Sequence, residues 1–152
     1  MKRALALLIL AACGGSSEAP DLSLPNRVSV YYHSMPRFDA DLAVAFDEVR
    51  IYGERVCGSK FAGLFKLNVH FSSGPMKCGA VDAAGCYPIV WLPLVRVQYN
   101  PIVEDSAVVH EALHHVWTIC RGESGADDKD VHSPEFLADV QEIRVRIAER
   151  LR

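Results

Sequence analysis

The residues best suited to chemistry stand together in "VVHEALHHVW", Val108 to Trp117, where three of the chain's six histidines flank one glutamate. His110, Glu111 and His114 have the spacing His-Glu-x-x-His. On a helix, two histidines four apart stand one turn above each other on a single face. Their imidazoles can therefore close on one metal ion while the backbone keeps its hydrogen bonds. Glu111 is rotated about 100° from His110, which sets its carboxylate beside the metal rather than on it. That is the place of a general base for an activated water. A motif this short arises by accident in roughly one in a few hundred chains of this size, so the elements that carry it decide its worth.

Those elements are readable. The stretch from Asn100 to Gly122 reads as one helix, with Asn100 as cap, Pro101 in first position, Glu104 and Asp105 in the first turn, Arg121 in the last and Gly122 as stop. Val109, Leu113, Val116 and Cys120 give it an apolar stripe, flanked by Ala112 and Trp117. Upstream, Asn26 to His33 is β-rich and is expected as the first strand. Leu42, Phe46, Val49, Tyr52 and Val56 then recur at helical spacing behind an acidic cap at Asp39 or Asp41. Leu64 to Phe71 alternates and predicts a second strand, followed by a loop that Gly74-Pro75 opens. Cys86 to Asn100 is apolar and β-branched but broken by Pro88 and Pro93. Prolines confine a strand to an edge, so Val95 to Tyr99 is expected as an edge strand able to pair with an extended peptide. After the polar loop "RGESGADDKDVH", Ser133 caps a last helix with Pro134 in first position. Its stripe is Phe136, Val140, Ile143, Ile147 and Leu151. The order predicts a single α+β domain over residues 26–152, a small mixed sheet whose edge strand packs on the motif helix, with no internal repeat.

The N-terminus is expected to be a targeting segment. Lys2 and Arg3 precede an apolar run from Ala4 to Ala12, too short to span a bilayer. Leu10-Ala11-Ala12-Cys13 resembles the bacterial lipobox, which implies a signal over 1–12, a lipid on Cys13 and a tether over 13–25. Gly14 after that cysteine resembles the outer-membrane sorting pattern of Gram-negative lipoproteins. The membrane is thus expected as partner through the lipid alone. A net charge of −3 gives no reason to expect nucleic acid. Beyond Cys13, the even set of Cys57, Cys78, Cys86 and Cys120 in an exported chain reads as two disulfides. Of three possible pairings, Cys78–Cys86 is favoured because "CGAVDAAGC" looks like a loop closed at its base, which leaves Cys57 with Cys120. No CxxC spacing supports a four-cysteine zinc site.

Catalytic zinc takes three protein ligands and leaves a fourth position for water. His110 and His114 supply two. The metzincin pattern is excluded, because Cys120 and Trp117 stand where it wants histidine and glycine. Downstream candidates for the third are His132, Glu135 at a spacing close to that of gluzincins, and Asp127 or Asp128, which lack the aspzincin pattern around them. Here "HEALHH…HSPEF" resembles the SprT-like arrangement, HExxH followed by His-Gly-x-Glu-Phe/Trp, with Ser133 in place of the glycine. The resemblance covers Val109 to Glu135. It implies a zincin-like fold, Zn2+ as cofactor and His132 as third ligand; Glu135, at its gluzincin-like spacing, stays the alternative. His115 projects from another face of the helix and is expected as a supporting or surface residue; His33 and His70, in predicted strands, are expected to pack or face solvent.

The function expected from these residues is hydrolysis of a peptide or protein substrate, or of cell-wall peptide, with Glu111 as base and one further donor for the oxyanion among Tyr99, Arg121 and His115. The competing expectation is a zincin-fold lipoprotein that binds a partner or a metal without catalysis.

Overall fold

A computed structural model of the chain describes residues 18–78, 80–87, 93–126 and 131–152. The expected signal segment, Cys13 and Gly14 lie outside the described residues, as do Pro88, Asp127, Asp128 and Asp130. Three parallel strands form the centre: β2 (Val28–Tyr31), β3 (Leu67–Ser72) and β7 (Leu94–Gln98), with β2 beside β3 and β3 beside β7. Alternation fixes which face is buried. Val28, Val30, Leu67, Val69, Phe71, Val95 and Val97 all turn inward, while Ser29, Asn68, His70 and Arg96 fall on the opposite face.

Helix α1 (Asp39–Cys57) and helix α3 (Ala107–Arg121) cover the apolar face, and α4 (Pro134–Arg150) packs on both. In α1, Leu42, Phe46, Val49 and Tyr52 are buried at helical spacing. No side chain caps its start; Asp39 and Asp41 instead lie within its first turn, where the helix dipole favours negative charge. A single-turn helix α2 (Phe61–Leu64) ends on the first residue of what reads as strand in sequence, and β3 begins at Leu67. Strand β1 (Leu22–Leu24) pairs antiparallel with β2, so regular structure begins inside the stretch read as tether. The result is an α+β fold with a small mixed sheet in the order β1-β2-β3-β7-β6, where β6 is Gly85–Cys86.

Two expectations are corrected. Val95 to Tyr99 does not form an edge. The antiparallel β6 (Gly85–Cys86) pairs along the outer side of β7, at Gly85 with Val97 and Cys86 with Arg96. Pro93 precedes β7 rather than interrupting it, and its carbonyl accepts from the Asn68 amide at 2.7 Å. The N–H groups of β7 are therefore free to pair on both sides. The motif helix also starts later than its sequence suggests. The Asn100 side chain accepts from the Ile102 amide at 3.0 Å and closes a turn. Ser106 is the cap, accepting from the Val108 amide at 3.2 Å. At its other end α3 stops at Gly122, in the left-handed conformation with φ 79°.

Both disulfides fit an oxidising compartment. Cys57–Cys120 joins the last residues of α1 to those of α3 across a sequence separation of 63. Cys78–Cys86, with a separation of 8, closes the hairpin of β4 (Met76–Cys78) and β5 (Val81–Ala83) onto β6. Among the described residues no helix is long and apolar enough to cross a membrane.

Candidate metal centre

Three side chains from two elements meet at one point. His110 and His114 project from the same face of α3, one turn apart. His132 comes from the residue before the cap of α4, held there by a bridge between Ala126 and His132 and by the Ser133 amide donating to the Gly125 carbonyl at 2.9 Å. The three Nε2 atoms form a nearly equilateral triangle with sides of 3.0, 3.1 and 3.1 Å. They are the group of three histidines that could hold a metal ion among the described residues.

The donor set fits a metal on physical grounds. The Nδ1 of His114 lies 2.5 Å from the Ser124 carbonyl oxygen. A carbonyl only accepts, so this nitrogen carries the proton and Nε2 presents its lone pair to the triangle. Converging imidazole nitrogens repel one another unless a cation sits among them. Metal–nitrogen bonds of about 2.0–2.1 Å in a tetrahedral site place their donors ~3.3 Å apart, close to the observed sides. Burial, followed by the positive charge that His114, His132 and Arg144 would add, pushes the pKa of His110 down to about 3. Its imidazole is thereby neutral at ordinary pH, the form that ligates.

Phe136 forms the floor. It is fully buried and stacks on His114, with ring centroids 4.3 Å apart, and makes a T-shaped contact with His110 at 5.1 Å. Gly125 makes room for it: φ is +82°, and a Cβ there would come within 2.3 Å of the Phe136 ring. This close approach lets the loop after α3 bring Ser124 to His114.

Glu111 is buried, 7% exposed, and lies under β6. A Cβ on Gly85 would fall 2.5 Å from Glu111 Oε1, so the edge strand passes directly over the carboxylate because glycine stands there. The three histidines and Glu111 open into a cavity of about 420 Å³ whose wall also includes Gly85, Tyr87, Asp105, Ser124 and Arg144.

Other expected site residues fall elsewhere. Glu135 is exposed and outside the cavity, at the mouth of a neighbouring depression. Of the three expected oxyanion donors, none lines the cavity. Tyr99 packs against Phe38 and Phe71. Arg121 lies over the Trp117 ring at 3.9 Å and reaches Asp139 on the far side of the helix. His115 is 4% exposed beneath the site, with Nδ1 2.9 Å from the Tyr87 hydroxyl, and burial pushes its pKa down to about 4. His33 lies in a turn after β2, with φ 51°, and packs on His70 with their ring nitrogens 3.0 Å apart.

Gly85, Tyr87, Ser124 and Arg144 are absent from the sequence reading. Ser124 acts through its carbonyl, which has no side-chain signature, and Gly85 through what it lacks. Arg144 lies on the opposite face of α4 from the paired Arg146 and Arg150, but in sequence it is one more arginine of a charged helix. Phe136 stands within the quoted "HSPEF" but reads there as core. Comparison with models of protein families, with curated proteins and with solved structures returned no match.

Proposed function

We propose that the chain is a zinc-dependent peptidase of zincin type, attached to a bacterial envelope through lipid on Cys13, at the outer membrane in a Gram-negative cell. One observation carries the reading. A triangle of three imidazoles and a buried carboxylate that is not part of it share one cavity beneath an antiparallel edge strand. His110, His114 and His132 would hold the ion, and three imidazoles with no thiolate or second carboxylate suit zinc among divalent metals. Bound there, zinc supplies Lewis-acid polarisation of a carbonyl and acidifies a water.

The chain's own residues supply the rest. Ser124 fixes the tautomer of His114 through its carbonyl. Glu111 takes a proton from the attacking water at its carboxylate oxygen and returns it to the nitrogen of the departing amine. Burial of Glu111 under Gly85 keeps that carboxylate at one position. The outer side of β6, which no strand among the described residues pairs with, offers backbone groups to an extended substrate, a role the sequence suggests for β7. The substrate class is peptide, including cell-wall peptide.

The test is metal content and peptide hydrolysis of the exported chain beside Glu111→Gln and His132→Ala. Stoichiometric zinc is expected in the parent chain and in Glu111→Gln, with hydrolysis lowered about 10²–10⁴-fold in that variant. His132→Ala is expected to lose the metal. Tight zinc without cleavage of any peptide or cell-wall fragment would leave a binding lipoprotein, and absence of zinc would sink the peptidase reading and leave only a partner-binding one.

A further inference from the structure

Arg144 stands out among the arginines of α4. Arg146 is paired with Glu142 at 2.8 Å, and Arg150 with Asp47 and Glu48 at 2.8 and 2.7 Å. Arg144, on the turn between them and the start of the helix, faces the metal cavity beside His110. Its Nη2 donates to the Ser106 carbonyl at 3.2 Å, which braces the side chain against the cap of α3. Its Nε is buried without a hydrogen-bond partner. Among the described residues no carboxylate lies within ion-pair distance, although Asp105 lines the same cavity.

A guanidinium partly withdrawn from water, with a donor unused and no carboxylate among the described residues within ion-pair distance, is stabilised when an anion arrives. Its planar fork matches a carboxylate in a way that a lysine's point charge does not. Ala107, in the first turn of α3, lines the same wall, so the positive end of that helix adds to the field. A surface arginine with only a bracing role would be expected to find an acidic neighbour or open solvent; this one has neither for its Nε.

We infer that Arg144 is the specificity residue of this site and selects substrates that carry a carboxylate close to the scissile bond. The inference rests on the peptidase reading and names its substrate class. The carboxylate can be the free C-terminus of a peptide or an acidic side chain, and the two are separable by experiment.

The experiment uses the zinc-loaded chain with three N-acetylated peptides of one alanine-based sequence: a free acid, its C-terminal amide, and an amide with one internal glutamate. The ratio of kcat/KM between the acid-bearing peptides and the plain amide is expected to be about 10- to 100-fold in the parent chain, the size of one hydrogen bond to a charged group. It should fall to near one in Arg144→Gln, mainly through KM, and recover in part in Arg144→Lys. A preference for the free acid assigns the C-terminus; a preference for the internal glutamate assigns the side chain. A parent chain that cleaves all three peptides alike, or an Arg144→Gln that keeps the preference, overturns the inference while the peptidase reading stands. If no peptide is cleaved, the peptidase reading fails instead, and calorimetric titration with the same peptides decides. Binding of acid over amide, lost in Arg144→Gln at unchanged zinc content, sustains the role of Arg144; equal binding, or none, refutes it.

Discussion

At its C-terminal end α3 is tied on every side. Cys120 is bonded to Cys57, the Trp117 indole donates to Tyr52 at 2.8 Å and to Asp139 at 3.1 Å, the Tyr52 hydroxyl donates to Asp139, and Arg121 closes the group by stacking on Trp117. One turn of helix away, the N-terminal half carries converging imidazole nitrogens, a buried carboxylate and, beside them, a guanidinium with a donor unused. The same helix thus ties its polar groups to its neighbours at one end and gathers them at a cavity at the other. The difference teaches where the stability comes from. Groups gathered at a cavity are tolerated at one end because the other end, and the aromatic floor of Phe136, hold the helix in place.

That contrast can be broken in graded steps. The largest effect is expected from Cys57→Ser with Cys120→Ser. Releasing a loop of sequence separation 63 should cost about 4 kcal/mol by chain entropy, read as a lowered denaturation midpoint, with zinc still bound by whatever fraction stays folded. A protein that loses zinc affinity in the folded state would show that the two ends of the helix are not separable.

Next comes pH. Burial holds the His115 pKa down to about 4, against an ordinary value near 6.5. The unfolded chain takes up a proton on this residue near pH 6.5 and the native chain only near 4, so stability is full above the first value and declines as pH falls to the second. The loss should reach roughly 3 kcal/mol. Chemical denaturation at several pH values should show a shallower slope in His115→Gln, which keeps an acceptor for Tyr87. An unchanged slope would show that His115 is solvated.

Gly85→Ala acts on the open end alone. Its methyl group would come within 2.5 Å of Oε1, 2.6 Å of Cγ and 2.9 Å of Cδ of Glu111, so the buried side chain has to shift as a whole. Hydrolysis should fall about a hundredfold, with zinc content near that of the parent and a modestly lowered melting temperature. The smallest effect is that of Ser133→Ala. It removes the hydroxyl that accepts from the Phe136 amide at 3.2 Å, worth about 1 kcal/mol. Because His132 precedes this cap, zinc affinity should weaken as well, and a measured loss of stability with zinc affinity intact would show that the bridge from Ala126 positions His132 unaided.

How far the chain could be read in advance depended on where the information resides. Alternation in "LNVHF" and helical spacing in α1 and α4 are periodic signals spread over many residues, and the corresponding elements are present. Strands β1 and β6 are three and two residues long, too short for any period, and the edge of the sheet was misplaced for that reason. The start of α3 was misread because Asn100 and Ser106 are both good caps. Only packing decides between them, and the Ser106 side chain is buried beneath the brace from Arg144. At the site, His110, Glu111, His114 and His132 are distinguished by residue type. Ser124, Gly85 and Arg144 contribute a carbonyl, an empty position and a charge turned to the cavity, each defined only by neighbours far away in sequence.

The parallel pairing of β2, β3 and β7 has a further consequence, in the order of events as the chain is made. Each parallel pair must wait for the chain to travel out and return, and Cys57 must wait for Cys120. The histidine triangle needs α3 seated on that finished sheet and a residue beyond it, His132. An emerging or half-folded chain therefore has the three histidines but not their geometry, so capture of an ion, on the reading proposed above, would be a late event that certifies a completed fold.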